Sequence, residues 1–153
     1  MKKLSDEIIS FFQKQGCVIV STLDDAGSLH NSCKGIVEID NDGHIYLFDL
    51  YVAKTRDNLQ KNPNMSITAI DEHHFIGYCL KGKARIVTES EMLPRLIKAW
   101  EDRIASRLTG RLLRNIHGDK GHPLHPEALL PKPEYLISME VEEIVDLTPH
   151  PMK

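Results

Sequence analysis

Leu50-Tyr-Val-Ala-Lys-Thr-Arg-Asp-Asn-Leu-Gln-Lys-Asn-Pro63 is the stretch on which the reading of this chain turns. The β-branched and aromatic run leading into it, Ile45-Tyr-Leu-Phe-Asp-Leu50, has strand character. The segment after it is helix-like, and Asn62-Pro63 ends it. Lys54 and Thr55 therefore sit where a strand hands over to a helix N-terminus. Unpaired backbone N–H groups and the positive end of the helix dipole make such a seam a ready anion site. Lys54 adds a full charge, and Thr55 a hydroxyl that can cap the helix or bind an oxygen. The bland alternative is an ordinary N-capped surface helix. Arg56 is a lesser candidate, since its guanidinium serves equally well solvated or paired with a carboxylate.

Working outward, the chain reads as strands punctuated by turn chemistry. Ser5, then Ile8, Ile9, Phe11 and Phe12, predict an amphipathic helix from Leu4 to Gln15, closed by Gly16 and lidding one end of a barrel. Cys17 to Leu23 is a strand, Asp24-Asp-Ala-Gly27 a turn, and Ser28 to Lys34 a second strand. Gly35 interrupts the pattern before Ile36 to Ile39, and Asp40-Asn-Asp-Gly43 is a hairpin signal. A strand from His44 to Leu50 then enters the seam. Beyond it come Met65 to Ile70, a turn at Asp71 to His74, and a long strand from Phe75 to Thr88. Gly77 and Gly82 lie inside that strand, where a barrel has to bend. From Ser90, Leu93, Leu96, Ile97, Trp100, Ile104, Leu108 and Leu112 recur at helical spacing, with Pro94 tolerable only in the first turn. Residues 115–133 read as an irregular His/Pro/Gly loop, Glu134 to Leu147 as the closing strand, and 148–153 as a tail.

The result is a single domain, residues 1–153, mainly β with α+β character. It is an antiparallel six-stranded barrel with an N-terminal helix, a short mid-chain helix and a longer helix before the last strand. No Gly-rich dinucleotide loop in a βαβ unit is present, which disfavours a Rossmann fold. A net charge of -3 argues against a general nucleic-acid binder. No apolar run is long enough to span a bilayer, so no membrane partner is expected. The N-terminal residues lack the unbroken apolar stretch of a signal peptide. Cys17, Cys33 and Cys79 are too few and too far apart for a disulfide framework or a CxxC knuckle. A cytoplasmic location is the simplest expectation.

The order of these segments resembles the flavin-binding split β-barrel family, which includes pyridoxamine 5′-phosphate oxidase and small FMN-binding proteins. The likeness runs from Ile8 to Val87. VIVSTLDDAGSLHNS, IVEIDNDGHIYLF, AKTRDNLQKNPNMSIT and GYCLKGKARIV carry it, with Lys-Thr-x-x-Asn-Leu-x-x-Asn-Pro as its most specific part. The resemblance implies a split barrel, a bound FMN and a homodimer with FMN at the subunit interface. It implies that Lys54 and Thr55 hold the phosphate, that Asn31, Ser32 and Cys33 face the flavin, and that Asp49, Leu50 and Tyr51 run beside its ring. A flavin-dependent oxidoreductase with a small-molecule or NAD(P)H redox partner is the implied function. The alternatives are a non-enzymatic FMN electron carrier, or a split barrel that binds a deazaflavin or haem. Glu134 to Lys153 contains no Arg or Trp and so lacks the oxidase's substrate segment; vitamin B6 oxidation is not expected.

Other residues invite functional readings that weaken on inspection. His117, His122 and His125, with Asp119, occupy one loop, but their spacing fits no metal motif, so no metal site is expected. A loop covering cofactor or substrate is the preferred role. Arg103, Arg107, Arg111 and Arg114 form a stripe that is either solvated or docks an anion. Trp100 falls on the apolar face of its helix and reads as core or dimer interface, and Cys17 and Cys79 as core.

Overall fold

A computed structural model describes residues 1–49, 53–124 and 135–152. Six strands are present: β1 (Val18–Leu23), β2 (Leu29–Ile39), β3 (His44–Asp49), β4 (Asn64–Asp71), β5 (Ile76–Thr88) and β6 (Tyr135–Asp146). They close in the order β1-β2-β3-β6-β5-β4, every neighbouring pair antiparallel. Alternation builds the interior: Val18, Val20 and Thr22 point inward from β1, while Ile19 faces out. Val20, Ile45, Leu47, Ile67, Leu80 and Ile137 meet as a fully buried centre. Closure leaves no free sheet edge, which a lone sheet of this size would otherwise have to protect.

The turns form for local reasons. The Asp24 carboxylate accepts from the amides of Ala26 and Ser28, at 3.0 and 2.9 Å, and so shapes the β1–β2 connection. Asp40 accepts from the His44 amide at 2.9 Å and Asp71 from those of His73 and His74. Gly43 adopts φ 91°, and a side chain there would strike the Lys2 carbonyl.

Two expectations about strand breaks resolve differently. Gly35 does not divide β2: it pairs with Phe48 in an unbroken strand, and the irregularity falls at Val37, between the pairs Ile36–Leu47 and Glu38–Tyr46. Val37 packs outward against Phe48, Val87 and Leu96, so an extra residue serves that outer cluster. Gly82 does mark a bend. The β5–β6 register slips between Lys81 and Gly82, and Glu140's carbonyl occupies the space a side chain at position 82 would need.

Among the described residues three α-helices dress the barrel: α1 (Asp6–Lys14), α2 (Lys54–Lys61) and α3 (Pro94–Ile116). Ser5 caps α1, and Ile9 and Phe12 drop into the core, which makes α1 the expected lid. α3 starts with Pro94 in its first turn and runs through Gly110 to Ile116. Its apolar stripe is buried only at Leu96 and Ile104. Trp100 is half-buried, stacked on Phe48 at 5.2 Å, whereas Leu93, Ile97 and Leu112 are exposed. The irregular loop therefore begins after Ile116, later than the sequence predicts, and a short 3-10 turn, His150–Met152, follows β6.

Because the clash at position 82 is with backbone, Gly82→Ala forces β5 and β6 apart. Denaturant unfolding is expected to show a loss of about 2–3 kcal/mol, the scale of an overpacked site. An unchanged midpoint would show that the slipped register does not need glycine.

Candidate functional site

The seam proposed from sequence is a real junction between barrel and helix. Ala53 occupies the N-cap of α2 and its side chain supplies no cap hydrogen bond, while its carbonyl accepts from the Arg56 amide at 2.9 Å. Thr55 does not cap the helix either. It is buried, and its hydroxyl lies 3.1 Å from that of Ser32 on β2. Asn58 donates to the Thr22 hydroxyl at 2.9 Å and Leu59 enters the core, so α2 is pressed against the mouth of the barrel by one face.

An adjoining side of α2 is held by the β1–β2 turn. Lys54, more than half exposed, lies 3.4 Å from the Asp24 carboxylate, and Lys61 pairs with Asp25. The Ser28 amide is the main influence holding the Asp24 carboxyl below its ordinary range; slight desolvation opposes it, and the Ala26 amide and Lys54 add to it. The phosphate lysine expected from sequence is thus shared with an internal carboxylate.

A second cluster lies one strand step deeper. Lys34 follows Ser32 at the next inward position of β2, about 7 Å along the strand. Its ammonium is 2.7 Å from Asp49 at the end of β3, both side chains buried. The other Asp49 oxygen accepts from the Tyr135 hydroxyl on β6 at 2.6 Å. Arg56 of α2 lies over the Tyr135 ring, 5.1 Å from its centroid. Burial, and then the bond to Asp49, push the Tyr135 phenol far above its ordinary value, so it stays protonated. Sequence reasoning named Asp49 but missed Lys34 and Tyr135. The signal available was a lysine in phase with inward Ser32 and Ile36, where a strand normally places an apolar residue.

The remaining predicted site residues separate. Asn31 and Cys33 point away from Ser32, to the outer face shared with Ser21 and Ile19, because successive strand residues alternate. Leu50 and Tyr51 lie outside the described residues, as does His125. His117 and His122 are exposed, and no metal-holding group of His, Cys, Asp or Glu occurs among the described residues. The arginine stripe has a structural use: Arg103 donates to the Gln15 carbonyl at 3.0 Å, Arg107 to that of Gly16 and Arg111 to that of His122. The first two place positive charge at the C-terminal end of α1. Cys17 is exposed and Cys79 half-buried rather than core, since their neighbours Val18 and Leu80 take the inward positions.

A six-stranded closed barrel with a lidding N-terminal helix and a short helix set across its mouth is a split β-barrel. The model for pyridoxamine 5′-phosphate oxidase matches residues 4–132, and the chain belongs to that family. Three solved structures of similar fold are informative. HupZ from Group A Streptococcus is 18% identical, with a TM-score of 0.62 and 95% of each chain covered. A Clostridium acetobutylicum protein related to general stress protein 26, of the pyridoxinephosphate oxidase family, is 14% identical, TM-score 0.56, covering 96% of this chain and 95% of its own. HutZ, the heme storage protein of Vibrio cholerae, is 19% identical, TM-score 0.55, covering 95% and 94%. No curated protein sequence matches the chain.

Two substitutions separate the clusters. Asp49→Asn leaves the Lys34 ammonium buried without its counter-charge, and is expected to cost about 3–5 kcal/mol in denaturant unfolding. Asp24→Asn instead frees an exposed lysine: stability should hold within about 0.5 kcal/mol. Calorimetric titration with a phosphate monoester at low salt should show tighter binding. Weaker binding would mean that Asp24 orients Lys54 rather than competing for it.

Proposed function

We propose that the chain is an FMN-binding flavoprotein working as a flavin-dependent oxidoreductase, in a homodimer with the dye at the subunit interface. The observation that carries this reading is the start of α2: an uncapped helix N-terminus, an ammonium beside it and a hydroxyl pair beneath. A phosphate dianion takes that donor set, N–H groups, hydroxyl and charge together. Lys54, Thr55 and Ser32 would hold the phosphate. Asp49, with Leu50 and Tyr51, and the β2 backbone at Asn31 and Cys33 would border the ring. Bound FMN supplies the hydride or electron chemistry, while the residues here bind, orient and shield it. No side chain is assigned as general acid, base or nucleophile.

The homodimer draws support from apolar surface left open. Ile19 and Ile70 on the outer face of the barrel, and Leu112, Leu113 and Ile116 on α3, are exposed. Three free thiols fit a reducing cytoplasm, and no helix among the described residues is long and apolar enough to cross a membrane. The likeness to a heme storage protein favours a second reading, in which the same mouth takes haem.

Titration of the purified protein with FMN, followed by flavin fluorescence, tests the first reading. Lys54→Ala should weaken binding about tenfold, close to 1.4 kcal/mol, with the circular dichroism spectrum unchanged. Equal affinity in the two proteins would place the phosphate elsewhere. Uptake of haem with a Soret band, and none of FMN, would favour the second reading. Oxidation of NADPH beyond that given by free FMN would separate an enzyme from an electron carrier.

A further inference from the structure

We infer that the outer face of β1 and β4, with the adjoining end of β2, is where a second copy of this chain docks, and that docking closes the Cys33 thiol off from solvent. This rests on the homodimer in the reading above and deepens it by naming the surface. It does not depend on which dye is bound.

The strands divide by what they turn outward. β5 presents Lys81, Lys83 and Arg85 and β6 presents Glu140 and Glu143, the charged exterior that an antiparallel sheet with one wet face normally has. β1 instead presents Ile19, Ser21 and Leu23, and β4 presents Asn64, Ser66, Thr68 and Ile70. The adjoining end of β2 adds Leu29, Asn31 and Cys33. None of these carries a charge. Register makes them one surface. Cys33, Ile19, Thr68 and Cys79 lie side by side in a row across β2, β1, β4 and β5, and Ile70 and Leu147 flank Gly77 next to it. Asn31, Ser21 and Ser66 form the row on the other side. Charge begins only at the edge: Lys81 pairs with Glu143 at 3.1 Å, and Lys83 donates to Asn64. Asp24 and Asp71, where β1 and β4 run out, are held in their own turns.

Other sides of the barrel are covered. α3 lies where Val37, Phe48, Val87 and Leu136 pack beneath Leu96 and Trp100, α1 closes one end, and α2 sits at the mouth. Among the described residues no helix lies over β1 and β4, and Ile19 and Ile70 stay 48% and 63% exposed. Strand spacing and rise make four rows on four strands a face on the order of 500 Å². A standard interface takes about 800 Å² from each partner, so this face supplies most of one before its rim is counted. Charge then selects the occupant. A partner of definite charge finds nothing on these rows to pair with. Two copies, each at net charge -3, meet at least cost through a face with no charge of its own, and a two-fold axis lets that face be its own complement. The exposed end of α3 is less suited to this. Arg111 and Arg114 stand among Leu112, Leu113 and Ile116, and a two-fold there brings like charges together.

Sedimentation velocity over a dilution series, with and without FMN, measures the dimer dissociation constant. The rate at which a maleimide labels Cys33, read by mass spectrometry without FMN so that the dye cannot shield it, measures that thiol's exposure. The unaltered protein is compared with Ile19→Lys, Thr68→Lys and Leu112→Glu, all outward positions, and thermal unfolding checks that each variant folds. The unaltered protein is expected to dimerise, with Cys33 labelled about tenfold more slowly than after dilution to monomer. Ile19→Lys and Thr68→Lys each strand an unpaired charge in the contact, so the dissociation constant should rise about a hundredfold and Cys33 should label at the monomer rate. Leu112→Glu should change neither by more than about threefold. A dimer as tight in both lysine variants as in the unaltered protein, or one lost only in Leu112→Glu, overturns this inference and leaves the homodimer standing. A chain that is monomeric at every concentration, with and without FMN, overturns both.

Discussion

The contact between Thr55 and Ser32 joins the two halves of the site, and most of what α2 can do depends on it. A helix of eight residues is too short to be stable by itself, so its geometry has to come from what it packs against. Here one face is fixed by a hydroxyl pair, an amide on Thr22 and Leu59 in the core. With that face committed, the N-terminus of the helix has one orientation, and it lies beside Ser32 of β2. The direction of the proposed anion site is thereby set by apolar and neutral polar contacts. Charge is left free to act on a ligand.

That division of labour explains the two kinds of ion pair around the seam. Lys54–Asp24 and Lys61–Asp25 are exposed, and pairs of that kind contribute little to stability. They hold a turn near a helix and can be exchanged for a ligand at small cost. Lys34–Asp49 is the reverse: desolvating both groups is expensive, and the pair survives because each oxygen of Asp49 has its own donor. A barrel mouth filled with leucine would be simpler to stabilise. A buried ion pair with a tyrosine donor at that position makes sense as recognition, and it sits within a strand step of the proposed phosphate seat.

Much of this was legible in the chain. The turn residues Asp24, Gly27, Asp40 and Gly43, and the stop at Asn62-Pro63, fixed strand and helix ends to within a residue or two, because each acts through its own backbone. The placing of Lys54 and Thr55 at the start of a helix was legible for the same reason, since a strand-to-helix seam is a local feature. What stayed hidden depended on partners far along the chain. Lys34, Asp49 and Tyr135 become neighbours only when β2, β3 and β6 pair in register, and the separation from Asp49 to Tyr135 spans the whole of α3. The family resemblance grouped Asn31 and Cys33 with Ser32 as facing the flavin. The pleat sends them to the other face. The stripe on α3 misled for a related reason: periodicity gives the apolar face of a helix but not how much of its length meets the barrel.

Family membership narrows the scaffold more than the ligand. Solved relatives at 18% and 19% identity keep the same barrel, one of them a heme storage protein, so backbone geometry alone does not choose between a flavin and a haem. The choice has to lie in side chains at the mouth. A phosphate presents a compact dianion that suits a single helix terminus with one lysine and one hydroxyl. Haem carboxylates are spaced apart and its iron needs an axial ligand within the same slot. The seam here brings an uncapped helix N-terminus, a lysine and a hydroxyl pair together, and beside them a buried Lys34–Asp49–Tyr135 cluster rather than an apolar slot. That compact donor set suits a phosphate dianion better than two separated carboxylates, and it is what supports the flavin proposal over the haem one.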